Sequence, residues 1–243
     1  MDTELESMLD RADELLSDLE EEYKRCLQAQ KITQRAKNLS HEVLEKLRHA
    51  LDHAMRRAWE RYVAPNLSEG DRERARVYFP ICSDLKSFRS TLGYARVADL
   101  DQAHPKSYNF LLKKQPFIYP ENQWLAHLTK IAGEGKHVRL APQKAIEKVG
   151  RIKVSRPGHG EASWDPSKVK FGAGKVEIMG APVDPSTQRI VPTPGVNEQV
   201  EIWVAFTFEG YGLNALGFCK EACQKTRALI QEMVKTLQPQ DVT

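Results

Sequence analysis

Residues 42–62 read EVLEKLRHALDHAMRRAWERY, a strongly periodic segment of the chain. Leu44, Leu47, Leu51 and Met55, with Ala54, Ala58 and Tyr62 beside them, recur at the three- and four-residue spacing that lines one side of an α-helix. The helix is expected to end near Val63, because Pro65 disfavours helical backbone before it and Asn66 to Gly70 is turn chemistry. At the centre of the stretch stand Arg48, His49, Asp52 and His53. A helix with a wide apolar side and ionisable groups at its middle predicts the inner helix of a bundle, with a candidate site on it.

Outward from this helix the pattern stays helical in both directions. Residues 3–37 read as one long helix, in which Ala12, Leu16, Leu19, Tyr23 and Cys26, with Leu5, Leu9, Leu15 and Leu27, make a stripe suited to a bundle core or a dimer seam. Asn38 or Ser40 is expected to cap the helix that follows. After the charged segment DRERAR comes an extended piece at Val77 to Ile81. Ser83 then caps a short helix, residues 94–112 are helical with a break at His104-Pro105, and a helix capped by Asn122 buries Trp124, Leu125, Leu128 and Ile131. From Val138 the texture changes. Strands are expected at Arg151–Ser155, Val169–Phe171, Lys175–Met179 and Val200–Phe208, with turns at Pro157-Gly158, Asp184-Pro185 and Pro194-Gly195. Residues 213–237 return to a helix, ended by Pro239. The expected class is α+β: one domain over residues 1–243, mainly a helical bundle from 1–137 plus 213–237, with a small antiparallel sheet in a β-rich insertion, 138–212, before the C-terminal helix.

Composition bounds the function. The chain has 243 residues, 41% hydrophobic and 28% charged, the balance of an ordinary globular protein. No run reaches the roughly 18 apolar residues that cross a bilayer, and the acidic start MDTELESML is unlike an export signal. No membrane association and a cytoplasmic location are therefore expected. Cys26, Cys82, Cys219 and Cys223 fit a reducing compartment. Cys219 and Cys223 share a helical face, but two thiols are half a zinc site and read as free thiols. The net charge of +3 hides an asymmetry: residues 1–22 hold ten acidic groups and one basic one, so the remaining 35 basic and 23 acidic groups leave +12 elsewhere. Such a body permits nucleic-acid binding, and the acidic head is equally suited to pair with it internally.

The chemistry centres on the 48–53 cluster. Arg48 and His53 are five positions apart, about 140° around the helix and roughly 7.5 Å along it, so they flank a groove rather than share a face. His49 and His53 do share a face, and Asp52 is placed to orient the Arg48 guanidinium as an i,i+4 partner. Such pairs on a solvated face are also ordinary. His49-x3-His53 has zinc-ligand spacing, with Asp52 or His137 as a third ligand, but Ala50 stands where a metalloprotease helix carries its Glu; no metal and no cofactor are expected. Gly172 and Gly174 lack the third glycine of a dinucleotide loop, and no serine lies in a GxSxG setting. Arg156 and Gly158-His159-Gly160 read as a loop. Trp164, Trp203 and Tyr211, interspersed with lysines, suit sheet packing or base stacking.

Arg48-x4-His53 on a bundle helix, with the polar His49 after the Arg, resembles the signature of the HEPN superfamily. That resemblance implies a metal-independent endoribonuclease, or an RNA-binding component, of a bacterial toxin or defence system. A homodimer and a cognate antitoxin or other protein would be its partners. It implies that His53 takes the proton from a ribose 2′-OH, that Arg48 holds the scissile phosphate, and that His49 assists. Lys136 and His137 would add substrate contacts. A second resemblance is wider. LRHALDH, then Phe79-Pro80-Ile81, Gln115-Pro116-Phe117, Trp124-Leu125 and Lys136-His137 is similar to a group of uncharacterised bacterial proteins, and implies a shared fold over residues 42–140 without an activity. The turn before Lys136 reads AGEG where that group carries Asn and Asp. The alternative to catalysis is a helical scaffold or protein-interaction module, with the acidic first helix as its contact.

Overall fold

A computed structural model of the chain describes residues 3–29, 31–134, 143–172 and 174–237, the side chains of residues 134, 143–149 and 201–204 excepted. It divides into two compact units, Met1–Lys144 with Thr207–Thr243, and Ala145–Phe206. The sequence boundaries of 138 and 212 enclose the second unit with a margin of several residues at each end.

The first unit is helical. Its elements are α1 (Thr3–Gln28), α2 (Gln34–Tyr62), α3 (Glu69–Arg74), α4 (Leu85–Tyr94), α5 (Leu100–Ala103), α6 (Pro105–Lys113), α7 (Gln123–Glu134) and α8 (Ala215–Thr236). α2 packs against α1, α7 and α8 and is the inner helix of the bundle. It buries Leu44, Leu47, Leu51, Ala54 and Met55 as the spacing predicts, and also Leu39, Val43, Ala50 and Trp59. α1 contributes Leu5, Leu9, Ala12, Leu15, Leu19, Tyr23 and Cys26, whereas Leu27 is exposed. Trp124, Leu125, Leu128 and Ile131 of α7 are buried together as expected.

The expected helix 3–37 divides instead into α1, ending at Gln28, and α2, starting at Gln34, and neither Asn38 nor Ser40 caps α2. Thr33 does. Its hydroxyl accepts from Ala36 N at 3.1 Å and donates to the buried Glu22 carboxylate at 2.6 Å. One threonine thus caps α2 and ties it to α1. Ser40 lies inside the helix and donates to Ala36 O at 2.7 Å. Asp84 rather than Ser83 caps α4, accepting from Ser87 N at 2.7 Å. α8 starts from Asn214, whose side chain accepts from Gly217 N.

The second unit is built on β1 (Gln143–Arg156), β2 (Gly160–Trp164), β3 (Glu177–Ile178), β4 (Ala181–Asp184), β5 (Arg189–Ile190) and β6 (Asn197–Phe208). β2, β1 and β6 are neighbours in one antiparallel sheet, and β3, β4 and β5 form another. The β1–β2 register runs from Ile152 opposite Trp164 to Arg156 opposite Gly160, across the Pro157-Gly158 turn where Gly158 has φ +77°. Ile152, Val154, Trp164, Ala181, Val183 and Ile190 form the core. Val169–Phe171 is not a strand, and only Glu177–Ile178 of 175–179 is one. The last residues of β6, Thr207 and Phe208, belong to the helical unit, where they pair with β7 (Leu213–Asn214).

Candidate functional site

Helical spacing puts Arg48 and Asp52 on one side of α2, and the structure spends that side on backbone. Arg48 Nη2 lies 2.7 Å from Asp52 Oδ1 and donates to Phe79 O at 3.0 Å; Phe79 N donates to the same Asp52 oxygen at 2.9 Å. Residues 75–82 belong to no helix or strand; Arg76 N donates to Tyr94 O, and the buried amides and carbonyls further on need side chains to satisfy them. Gln115, fully buried, supplies two more bonds to the segment. Its Nε2 donates to Pro80 O and Leu111 O, each at 2.9 Å, and its Oε1 accepts from Cys82 N at 3.0 Å. LRHALDH, FPI and QPF are therefore one assembly: a charged pair and an amide that hold an extended segment against the bundle.

This arrangement corrects the solvated-face reading of Arg48 and Asp52, whose side chains are only 16% and 22% exposed. Burial pulls the Arg48 pKa below its ordinary value, opposed by the Asp52 charge, and the guanidinium stays cationic. Asp52 orients the guanidinium as the sequence suggested, but toward Phe79.

His53 belongs to a different network. Its Nε2 accepts from Arg57 Nε at 3.3 Å and stands 3.7 Å from Glu4 Oε2, which also takes Arg57 Nη2 at 2.7 Å. The acidic first helix is thus engaged within the chain. Besides Glu4, Asp10 and Asp13 pair with Arg227, and Glu20 with Lys220. His49 is exposed on α2. Lys136 and His137 lie outside the described residues. The four cysteines are free thiols, and burial pushes the Cys219 pKa well up and that of Cys223 to about 12. Among the described residues no group of His, Cys, Asp or Glu is arranged to hold a metal ion.

The clamp produces a face that the helical cluster alone did not reveal. Along the held segment Val77 and Phe79 point inward while Arg76 and Tyr78 point outward, Tyr78 being 56% exposed. Asp52, His53, Arg56, Arg76 and Tyr78 line a shallow depression of about 360 Å³. Tyr94, 60% exposed, joins the segment through its carbonyl, which accepts from Arg76 N at 2.9 Å. Arg56 is paired with Glu60 at 2.8 Å, and Arg76 has no carboxylate partner among the described residues. The alternation Arg-Val-Tyr-Phe at 76–79 carried this signal in the sequence. It is the two-residue period of an extended segment with one side buried.

Comparison with protein-family models, curated proteins and solved structures returned no match. Among the described residues no helix is long and apolar enough to cross a membrane.

Proposed function

We propose that the chain binds single-stranded RNA at the Tyr78 face without cleaving it. The observation that carries this reading is the outward Tyr78 on a rigidly held segment, beside Arg76, Arg56 and His53. A base stacks on an exposed aromatic ring whatever its identity, and neighbouring cations follow the phosphates. The clamp supplies preorganisation, since Arg48, Asp52 and Gln115 already hold the segment before binding. Cleavage has less support. Arg48 Nη2 is held by Phe79 O and Asp52 while Nη1 is buried, and His53 Nε2 accepts from Arg57.

The test is fluorescence anisotropy of a short single-stranded RNA, with duplex RNA and DNA of the same sequence as references. The single strand binds best. Tyr78→Ala weakens it about tenfold, within the roughly 1–3 kcal/mol of one stacked base. Arg76→Gln lowers the slope of log K against log salt by about 0.7, the value for one phosphate contact on a single strand. No binding at micromolar protein, or a Tyr78→Ala protein that binds like wild type, would sink the proposal.

A further inference from the structure

The last turns of α2 border a second feature, independent of the Tyr78 face. Two hollows of about 660 and 380 Å³ meet at Ala58, Arg61 and Tyr62 of α2, with Leu237 touching both. Leu5, Ala54 and Met233 wall the first, and Met55, Trp59 and Leu100 the second. The Trp59 indole donates to Ala95 O at 2.7 Å, so its ring offers the second hollow apolar surface and no free donor. The charges at the first hollow are mostly neutralised. Arg57 pairs with Glu4 at 2.7 Å, and Glu60 with Arg56 at 2.8 Å. Arg61 is different. It is exposed, rests over the Tyr62 ring at 5.4 Å, and has no carboxylate partner among the described residues.

We propose that this groove binds a monoanionic amphiphile, an aliphatic chain ending in a carboxylate, with the chain laid along the two hollows and the head on Arg61. Both volumes fall in the range of roughly 300–1,000 Å³ typical of small-molecule sites with apolar walls and few polar anchors. Ala58 and Tyr62 line both hollows, so an occupant of both must pass these two side chains, which suits a flexible alkyl chain better than a rigid helix. Arg61, without a carboxylate partner among the described residues, lies at that shared boundary and selects an anion.

Titration calorimetry of the full chain with dodecanoate, kept below micelle formation, tests this against dodecyltrimethylammonium as the cation of equal chain length. Dodecanoate binds one to one, and the ammonium amphiphile at least tenfold more weakly. Arg61→Gln weakens dodecanoate about tenfold while Arg61→Lys restores most of the loss. Ala58→Trp, which fills the junction, abolishes binding with thermal unfolding unchanged, and Tyr78→Ala leaves it intact. Absence of dodecanoate binding overturns the proposal, as does equal affinity for the two amphiphiles or indifference to Arg61→Gln. A groove that rejects dodecanoate yet binds an amphipathic helical peptide would assign it to a protein partner and overturn the proposal too.

Discussion

Each unit of this protein contains an extended segment held by side chains instead of by neighbouring strands, and the two solutions differ in kind. In the helical unit Arg48, Asp52 and Gln115 satisfy the backbone of Phe79, Pro80 and Cys82. In the β-rich unit Gln188 alone serves Phe171, its Oε1 accepting from Phe171 N at 2.7 Å and its Nε2 donating to Phe171 O at 3.0 Å. The first clamp is ionic and mostly buried, so its halves depend on each other; the second is a single neutral amide, half-buried. A buried charge that loses its partner keeps the large cost of its desolvation, while a lost amide leaves only uncharged backbone groups unsatisfied, at a smaller cost.

Breaking the ionic clamp should therefore have the largest effect. Asp52→Ala leaves the Arg48 guanidinium without its counter-charge and should cost about 3–5 kcal/mol in chemical denaturation. Replacing both partners, Arg48→Met with Asp52→Leu, should cost less than either single change; a fully additive double mutant would contradict the coupling. Gln115→Ala removes three hydrogen bonds and leaves buried groups unsatisfied, for a loss of about 2–3 kcal/mol by the same assay. Gln188→Ala also removes three hydrogen bonds, the third to Pro185 O. Gln188 is only half-buried, however, and water replaces part of them, so the cost should be only about 1 kcal/mol. Gln188 also sits at φ +59°, where glycine is free of strain, so Gln188→Gly should cost less than Gln188→Ala.

The smallest effect concerns pH. Burial, and then the nearby Lys130, lower the His127 pKa. The folded chain then binds that proton less readily than the unfolded one, so the contribution of His127 is intact above the ordinary histidine range and is lost as pH falls through the folded value. Thermal unfolding should show slightly more acid destabilisation for the wild type than for His127→Gln between about pH 7 and pH 5.

The parts of the fold that could be read from sequence were those with a repeated physical signal. The α2 stripe spans many turns, and a buried side of that length leaves one periodicity in the residue order. The break between α1 and α2 leaves none, because neither glycine nor proline marks residues 29–33 and the determinant is the long-range pair Thr33 and Glu22. β3 and β5 are two residues long, too short for any alternation to register. Of the site, the residues of the 48–53 cluster were visible but their partners were not. Helical geometry placed Arg48 and His53 on separate faces, yet nothing local announced that Arg48 would meet the Phe79 carbonyl 31 positions away. Tyr78 was legible only as the outward half of an alternation whose inward half is Val77 and Phe79.

One measurement bears most directly on the claim that this chain holds RNA and that Arg48 serves the fold. Labelled single-stranded RNA is incubated with wild-type protein in EDTA, and complex formation and RNA length are followed in the same samples over hours. A saturable complex with RNA of unchanged length is the predicted result. Shortened RNA ending in a 2′,3′-cyclic phosphate, absent with a stably folded His53→Ala protein, would contradict the account and assign cleavage to the Arg48–His53 helix.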